Sequence, residues 1–220
     1  YMLNQGLVAY PYIETTTASV AGGILENMPR LDWASGAPSL LLEPSRTNLV
    51  MSSEYFGSWS KNISVVTNTD ETIDPSGYYI ASKLLETTSS TQQWIYQSAF
   101  LSGVQTFSVY AKAAERDYIA LATAGADPSY FNLSTGSVVS TASGVTSSIE
   151  SAGNGWYKCS VTSSSVTSSF SIIWISDDGT RRSYAGDNTK GVYVFGAQAE
   201  EGSYPTSYIP TYGVSQTRLR

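Results

Sequence analysis

Apolar residues recur at every second position over short stretches of this chain, and turn-forming residues separate the stretches. From Leu40 onward, Gly, Asn, Asp, Pro and Ser interrupt the apolar runs at intervals of about ten residues, which is typical of a β-sandwich or barrel. In FSVYAKA (107–113), Phe107, Val109 and Ala111 share one face of a strand, because strand side chains alternate. Helical periodicity is nearly absent. The pattern therefore predicts an all-β fold.

A second alternating segment places aromatic residues opposite its aliphatic ones. In QQWIYQSAF (92–100), Ile95 and Ala99 share one face of a strand, and Trp94 and Tyr96 share the other. Both faces are partly apolar. The pattern predicts a strand whose Trp and Tyr side chains lie on the side away from the core.

Turn residues mark where the predicted strands reverse. The segments DG (178–179), NG (154–155) and PSG (75–77) supply residues that adopt positive φ or have a fixed φ. The Ser/Thr-rich tract at 160–171 keeps β-branched residues, which favours two strands joined by a polar turn over a flexible linker.

Five strings of sequence carry a family resemblance, and they occur in the family's order. They are LLEPSRTNLV (41–50), FSVYAKA (107–113), FNLSTGSV (131–138), GNGWYKCSV (153–161) and EEGSYPTSYIPT (200–211). Together they resemble the all-β adhesion modules of bacteriophage tail fibres and related virion proteins. The same strings also resemble a diverged version of the β-jelly-roll carbohydrate-binding modules, whose F-S-x-x-A-K-A and G-W-x-x-x-S-V strands have a similar spacing.

The resemblance implies an antiparallel β-sandwich of jelly-roll type that acts in the virion, extracellularly, after synthesis in the host cytoplasm. It implies a non-catalytic module that binds polysaccharide during host recognition. A structural or trimerising spacer of a fibre, without sugar binding, is the alternative. Tail-fibre proteins are generally homotrimeric, so the resemblance also implies a homotrimer.

The beginning of the chain suggests a domain boundary. YPYIETTTASVAGG (10–23) echoes YPTSYIPTYGVSQ (204–216), unless shared composition alone produces the likeness. We therefore interpret residues 1–27 as an N-terminal extension or the exit segment of a preceding module, and residues 28–220 as the sandwich. Trp33 is expected to anchor the lead-in to the sandwich. The first residue is not methionine, which suggests a fragment of a longer polypeptide.

Composition and charge exclude several classes of protein. The 220 residues, 41% of them hydrophobic, suffice for one large sandwich without disulfides. Cys159 has no second cysteine to pair with and is predicted to be a small buried side chain. A net charge of −6 with twelve scattered Lys and Arg excludes a nucleic-acid binder. Apolar runs such as SIIWI (171–175) are shorter than the ~20 residues of a membrane-spanning helix, so no membrane insertion is expected.

Catalytic and metal chemistry have few candidates in this sequence. Histidine is absent, so a serine or cysteine nucleophile lacks its usual base. Glycoside hydrolysis needs only two carboxylates, but we assign the available ones structural roles and predict no catalytic residue. The segment Asp177-Asp178-Gly179 fits either an ordinary turn or a structural calcium site, and no other cofactor is expected. The candidate carboxylates are Glu43, Glu54, Asp117, Asp127, Glu200 and Glu201.

Aromatic residues provide the candidate binding site. Sixteen tyrosines and five tryptophans exceed what a core needs, and sugar rings stack on such side chains. Trp59 and Trp156 are assigned to the core, whereas Trp174, on one face with Phe170, fits core and surface equally. We predict a neutral or weakly charged polysaccharide, because a net negative chain repels strongly acidic glycans unless a local group such as Lys112 or the Arg181-Arg182 pair offsets this charge. The predicted glycan-binding residues are Trp94, Tyr96 and Tyr110 on one sheet face, with Lys112, Tyr118 and Trp174 as additions.

Overall fold

The computed structural model describes residues 30–32, 37, 39–67, 69–99, 103–123, 127–166 and 170–218. One short 3-10 helix occurs in these ranges, at Phe56–Ser58, and all other regular structure in them is β. The strands are β1 (Arg30–Asp32), β2 (Ser39–Leu41), β3 (Arg46–Asn48), β4 (Ser60–Lys61), β5 (Ser64–Val66), β6 (Ser82–Leu85), β7 (Ser90–Gln92), β8 (Trp94–Ser98), β9 (Gly103–Ala113), β10 (Tyr118–Thr123), β11 (Ser129–Asn132), β12 (Ser137–Ser140), β13 (Val145–Gly153), β14 (Trp156–Val166), β15 (Phe170–Ser176), β16 (Ser183–Ala185), β17 (Gly191–Glu201) and β18 (Gln216–Arg218).

Two six-stranded antiparallel sheets form the fold. The order β13-β14-β9-β17-β6-β5 makes one, called the β9 sheet, and β12-β11-β10-β15-β8-β4 makes the other, called the β15 sheet. Within them, β6-β17-β9-β14 faces β8-β15-β10-β11, which is the strand order of a jelly roll made of two Greek keys. The predicted all-β sandwich of jelly-roll type is confirmed.

The core between the sheets consists of the side chains that alternation assigned to it. Phe107, Val109 and Ala111 of β9 are fully buried, and they belong to one cluster with Ile95 and Ile173 of the opposite sheet. Such packing contributes about 25 cal/mol for each Å² of apolar surface removed from water. The hydrophobic effect therefore fixes which face of each strand points inward.

Three single-residue predictions about the core are confirmed. Trp59 and Trp156 are almost completely buried, and so is Cys159. Burial raises the pKa of the Cys159 thiol far above its ordinary value, because the thiolate would lose its hydration. The thiol therefore packs as a small apolar group.

Two of the five strings are joined by the side chain of Asn48. Its Nδ2 donates to the carbonyls of Ala197 (3.1 Å) and Ile209 (2.8 Å), and its Oδ1 accepts from the amides of Val50 (3.1 Å) and Ala199 (3.1 Å). All four hydrogen bonds of the fully buried amide are used. The Asn48 side chain thus holds the RTNL segment (46–49) against the end of β17 and the closing segment, residues 200–211.

The buried carboxylate of Glu200 holds the turn that follows β17. It accepts hydrogen bonds from the amide (2.8 Å) and hydroxyl (2.7 Å) of Thr206 and from Nε2 of Gln198 (2.7 Å), and Arg46 lies 3.6 Å away. A fully buried carboxylate is tolerated only when it is bonded in this way. The structural role assigned to Glu200 agrees with this arrangement.

Asn48→Ala is expected to lower the free energy of unfolding by about 3–5 kcal/mol, because it leaves several buried backbone groups without partners at roughly 1–3 kcal/mol each. Urea denaturation followed by circular dichroism measures the loss. Thr47→Ala is the control: its hydroxyl bonds to Thr217 at 2.8 Å in an exposed position and should cost less than about 1 kcal/mol. Equal losses of unfolding free energy in the two variants would show that Asn48 does not hold these segments together.

The chain divides into two compact units, residues 1–45 with 218–220, and residues 46–217. In the smaller unit, β1 pairs with β2, and the Arg218 guanidinium lies 3.2 Å from the Glu43 carboxylate. The predicted boundary between residues 27 and 28, like Trp33, lies outside the described residues and stays a prediction. In the described part of the chain, no helix is long and apolar enough to cross a membrane.

Candidate functional site

The outer surface of the β9 sheet is covered by the loop 69–80. Trp156 Nε1 donates to the carbonyl of Ile73 at 2.8 Å, and Lys112 Nζ donates to Thr72 Oγ1 at 3.0 Å. Tyr193 donates its hydroxyl to Glu71, whose carboxylate also accepts from Lys83. Lys112 is therefore engaged in holding this loop.

Tyr110 packs beneath the closing segment on the same surface. Its ring lies 6.1 Å from that of Phe195 and 6.2 Å from that of Tyr208, and Lys158 Nζ lies 5.9 Å from its centroid. Gly196 adopts φ +58°, and a Cβ there would lie 3.2 Å from both tyrosine rings. Tyr110 is part of a second hydrophobic cluster behind the β9 sheet.

The prediction that Trp94, Tyr96 and Tyr110 share one sheet face is wrong. Trp94 and Tyr96 belong to β8 in the β15 sheet, whereas Tyr110 and Lys112 belong to β9 in the other sheet. In a jelly roll these consecutive strands lie in opposite sheets, so their outward side chains point to opposite sides of the sandwich. The structure thus separates Tyr110 and Lys112 from the other four predicted residues.

Trp94, Tyr96 and Phe170 form a continuous row of rings on the outer surface of the β15 sheet, and we call these three residues the aromatic platform. The rings of Trp94 and Tyr96 are 5.2 Å apart, and those of Tyr96 and Phe170 are 5.0 Å apart at 85°. Phe170 is 39% exposed, and the other two are half-buried. The platform therefore presents apolar ring surface to solvent.

Trp174 supports the platform from within. It is only 4% exposed, lies opposite Trp94 in the strand register, and donates from Nε1 to Gln92 Oε1 at 3.2 Å. The guanidinium of Arg182 lies 5.5 Å from its ring centroid. Of the two readings that the sequence left open, the packing one agrees with this burial.

Tyr118 lies on the same surface, at the end of β10. It is paired with Ser176 and is half-buried under the turn at Gly179. Gly179 has φ +76°, and a Cβ there would lie 2.6 Å from the Tyr118 ring. The turn thus closes tightly over Tyr118, whose partner Ser176 lies two residues along β15 from Trp174, the partner of Trp94.

Polar groups border the platform on the side of the edge strand β4. Ser60 is paired with Tyr96, and Asn62 follows with its backbone amide donating to the carbonyl of Trp94 at 2.8 Å. The side-chain amide of Asn62 donates to Thr91 Oγ1 (3.1 Å) and to the carbonyl of Gln92 (2.8 Å). Phe170 and these polar residues were absent from the predicted set. The sequence does indicate Phe170, because it lies four residues before Trp174 on β15 and the two side chains therefore lie on the same face of the strand.

The Asp177-Asp178-Gly179 segment is held by its own neighbours. Arg181 donates to Asp177 at 2.6 and 3.0 Å, and Asp178 Oδ1 accepts from the amides of Thr180 and Arg181. The pKa of Asp178 is lowered, because these hydrogen bonds and the Arg181 charge outweigh desolvation. No cluster of three or more acidic or sulfur ligands suited to a metal occurs among the described residues.

Glu54 is a partly buried carboxylate near the closing segment. Tyr208 donates its hydroxyl to Glu54 at 3.1 Å and lies 2.6 Å from the hydroxyl of Ser53. Burial raises the pKa of Glu54, and this effect exceeds the opposite one of its hydrogen bonds with Tyr208 and Tyr212. Ionised Glu54 therefore destabilises the folded state.

Glu54→Gln is expected to raise the melting temperature relative to wild type, and increasingly so between pH 4 and pH 8. The folded-state pKa lies above the ordinary value of 4.5, so the contribution of Glu54 to stability is present below that value and is lost as pH rises through the folded-state pKa. Glutamine cannot ionise and escapes this loss. Thermal melts at several pH values check it, with exposed Glu201→Gln as the charge-matched control. A difference in melting temperature between Glu54→Gln and wild type that does not change with pH would contradict the expectation.

No protein-family model and no curated protein sequence matches the chain. Among solved structures, it is similar to an exo-β-1,3-galactanase from Phanerochaete chrysosporium in complex with β-1,3-galactotriose, with a TM-score of 0.35 and 12% sequence identity. The match covers 76% of this chain and 36% of the galactanase chain, so the chain spans about a third of that protein.

Proposed function

We propose that this chain is a non-catalytic carbohydrate-binding module that binds a neutral polysaccharide on the aromatic platform. The observation that carries the proposal is a continuous row of three aromatic rings on the outer surface of one sheet, with Phe170 exposed and Trp94 and Tyr96 half-buried. On the other sheet, the loop 69–80 and the residues around Tyr208 cover the comparable aromatic side chains. The platform is thus a row of packed aromatic rings that is suited to a ligand.

The chemistry of the platform fits the two-sided nature of a sugar ring. The C–H face of a pyranose packs on an aromatic ring, while its hydroxyls need hydrogen-bond partners at the edge. Ring centroids about 5 Å apart offer successive contacts to a chain of sugars. The Asn62 Nδ2 group and Gln92 Oε1 already bond within the protein, so the Ser60 hydroxyl, Asn62 Oδ1 and Gln92 Nε2 are the groups beside the rings that suit sugar hydroxyls.

Binding without catalysis is supported by the state of the nearby carboxylates. A glycosidase needs one carboxyl group with a raised pKa as general acid and a second as nucleophile or base. Asp177 and Asp178 are bound by Arg181, the pKa of Asp178 is lowered, and Asp127 pairs with Arg182 at 3.7 Å. This arrangement suits fixed charges, not a proton donor.

A glycan array, followed by titration with the polysaccharides it identifies, tests the proposal. We expect the wild-type chain to bind neutral glycans with modest affinity, because a shallow surface gains little per ring and repeated modules compensate. Phe170→Ala should weaken binding, whereas Tyr79→Ala, an exposed tyrosine of the loop over the β9 sheet, should not. An array without any bound glycan, or equal losses in both variants, would contradict the proposal.

We further propose that the module belongs to a phage tail fibre or virion and forms a homotrimer that acts outside the cell. The support is the resemblance of the five ordered strings. Light scattering on the whole chain should give three times the chain mass. A monomer at high concentration would count against the trimer and leave the glycan proposal standing.

A further inference from the structure

An ion pair borders the platform surface on the side of Trp174. The guanidinium of Arg182 lies over the Trp174 ring at 5.5 Å and 3.7 Å from the carboxylate of Asp127. The side chain of Arg182 is 33% exposed and that of Asp127 is 88% exposed. One donor group and one acceptor group are thus fixed side by side and accessible from solvent.

The strand register connects this pair to the platform. Tyr130, Ala120, Trp174 and Trp94 are partners across β11, β10, β15 and β8, so they form one row on the outer face of the β15 sheet, in which only Trp94 is not buried. Tyr130 is almost buried, and its pKa is raised mainly by burial, with Arg182, Asp178 and Asp127 close enough to affect it. Trp174 is the neighbour of Trp94 in this row and Arg182 lies over its ring, so the pair lies beside the Trp94 end of the platform.

The charges around the pair nearly cancel. Arg181 and Arg182 face Asp127, Asp177 and Asp178, all at contact distances of 2.6 to 3.7 Å. Two positive and three negative side chains leave a local balance of −1, in a chain of net charge −6. An anionic sugar therefore finds no excess positive charge here.

We infer that the Arg182–Asp127 pair determines the specificity of the site for uncharged sugar rings with neighbouring hydroxyls, against rings bearing carboxylate or sulfate. The inference rests on the proposed function. A guanidinium only donates hydrogen bonds and a carboxylate only accepts them, whereas each sugar hydroxyl does both. Two adjacent hydroxyls therefore satisfy both members of the pair. An anionic group satisfies Arg182 but is repelled by Asp127, which provides the selection against it.

Affinity electrophoresis in gels containing dextran, galactan, mannan or xylan, each beside its sulfated derivative, tests the inference. The wild-type chain should bind at least one neutral polymer more tightly than its sulfated form. Asp127→Asn keeps the side-chain shape and removes the repulsion, so the preference for the neutral form should shrink by about fivefold, the effect of roughly 1 kcal/mol. Asp70→Asn is the matched control, because it changes net charge equally at an exposed site in the loop over the β9 sheet.

Arg182→Gln provides a second, independent variant. It removes the guanidinium and should weaken binding of the neutral polymer by about fivefold, since roughly 1 kcal/mol of hydrogen bonding is lost. The inference is overturned when Asp127→Asn and Asp70→Asn change the preference equally, when Arg182→Gln binds like wild type, or when wild type prefers sulfated polymers. A wild-type chain that binds no polymer overturns the proposed function, and the inference with it.

Discussion

Trp94→Ala is expected to abolish polysaccharide binding while lowering the free energy of unfolding by only about 1–2 kcal/mol, less than the 3–5 kcal/mol expected for a buried Trp. Trp94 is half-buried, and part of its ring faces solvent beside Tyr96. Removing it takes away one end of the platform, the ring that adjoins Trp174 and the Arg182–Asp127 pair. Titration with the best polysaccharide from the array measures binding, and urea denaturation measures stability.

Trp156→Ala is the matched comparison for this variant. Trp156 is almost fully buried behind the β9 sheet and donates to the carbonyl of Ile73. Its removal should cost about 3–5 kcal/mol and leave binding by the folded fraction unchanged. If Trp94→Ala is instead as destabilising as Trp156→Ala, then Trp94 serves the core and the site is misplaced.

Glu86→Ala is expected to lower the free energy of unfolding by about 3–5 kcal/mol, the usual loss when one partner of a buried ion pair is removed. Glu86 is fully buried and accepts from Arg116 at 2.6 and 3.0 Å, from the Tyr184 hydroxyl at 2.6 Å and from the Asp187 amide at 2.8 Å. This single carboxylate joins β6, β16 and the segment before β10. The same carboxylate raises the pKa values of Arg116 and, together with burial, of Tyr184.

Urea denaturation measures the loss, with the slope of the transition expected to stay unchanged. Glu71→Gln is the control, because the carboxylate of Glu71 is half-exposed in its ion pair with Lys83 and such pairs contribute about 0–1 kcal/mol. A loss for Glu86→Ala as small as that of Glu71→Gln would show that the buried network does not stabilise the fold.

The sequence predicts the class of fold well, because apolar residues at alternate positions of a strand show which side chains face the core. Phe107, Val109 and Ala111 point inward, and Ile95 does so from the opposite sheet. Alternation alone says that a residue faces away from the core, but not in which sheet its strand lies. The error over Tyr110 arose from this limit, since β8 and β9 show the same pattern on opposite sides of the sandwich.

The parts of the site that the sequence does not predict depend on loops and on distant pairs. The loop 69–80 covers Trp156 through one hydrogen bond to Ile73, and no periodicity indicates such a covering. Likewise, Arg182 and Asp127 form an ion pair although they lie 55 positions apart in the sequence. Contacts of this kind result from the packing of the whole domain, so composition and spacing give no sign of them.

An NMR titration of the wild-type chain with an oligosaccharide of the best-bound polysaccharide tests the central claim most directly. Amide and indole signals should shift for Trp94, Tyr96 and Phe170, and for their neighbours on β8 and β15, while those of Tyr110 and Trp156 stay in place. Shifts centred on the β9 sheet, or no shifts at saturating oligosaccharide, would contradict a glycan site on the aromatic platform.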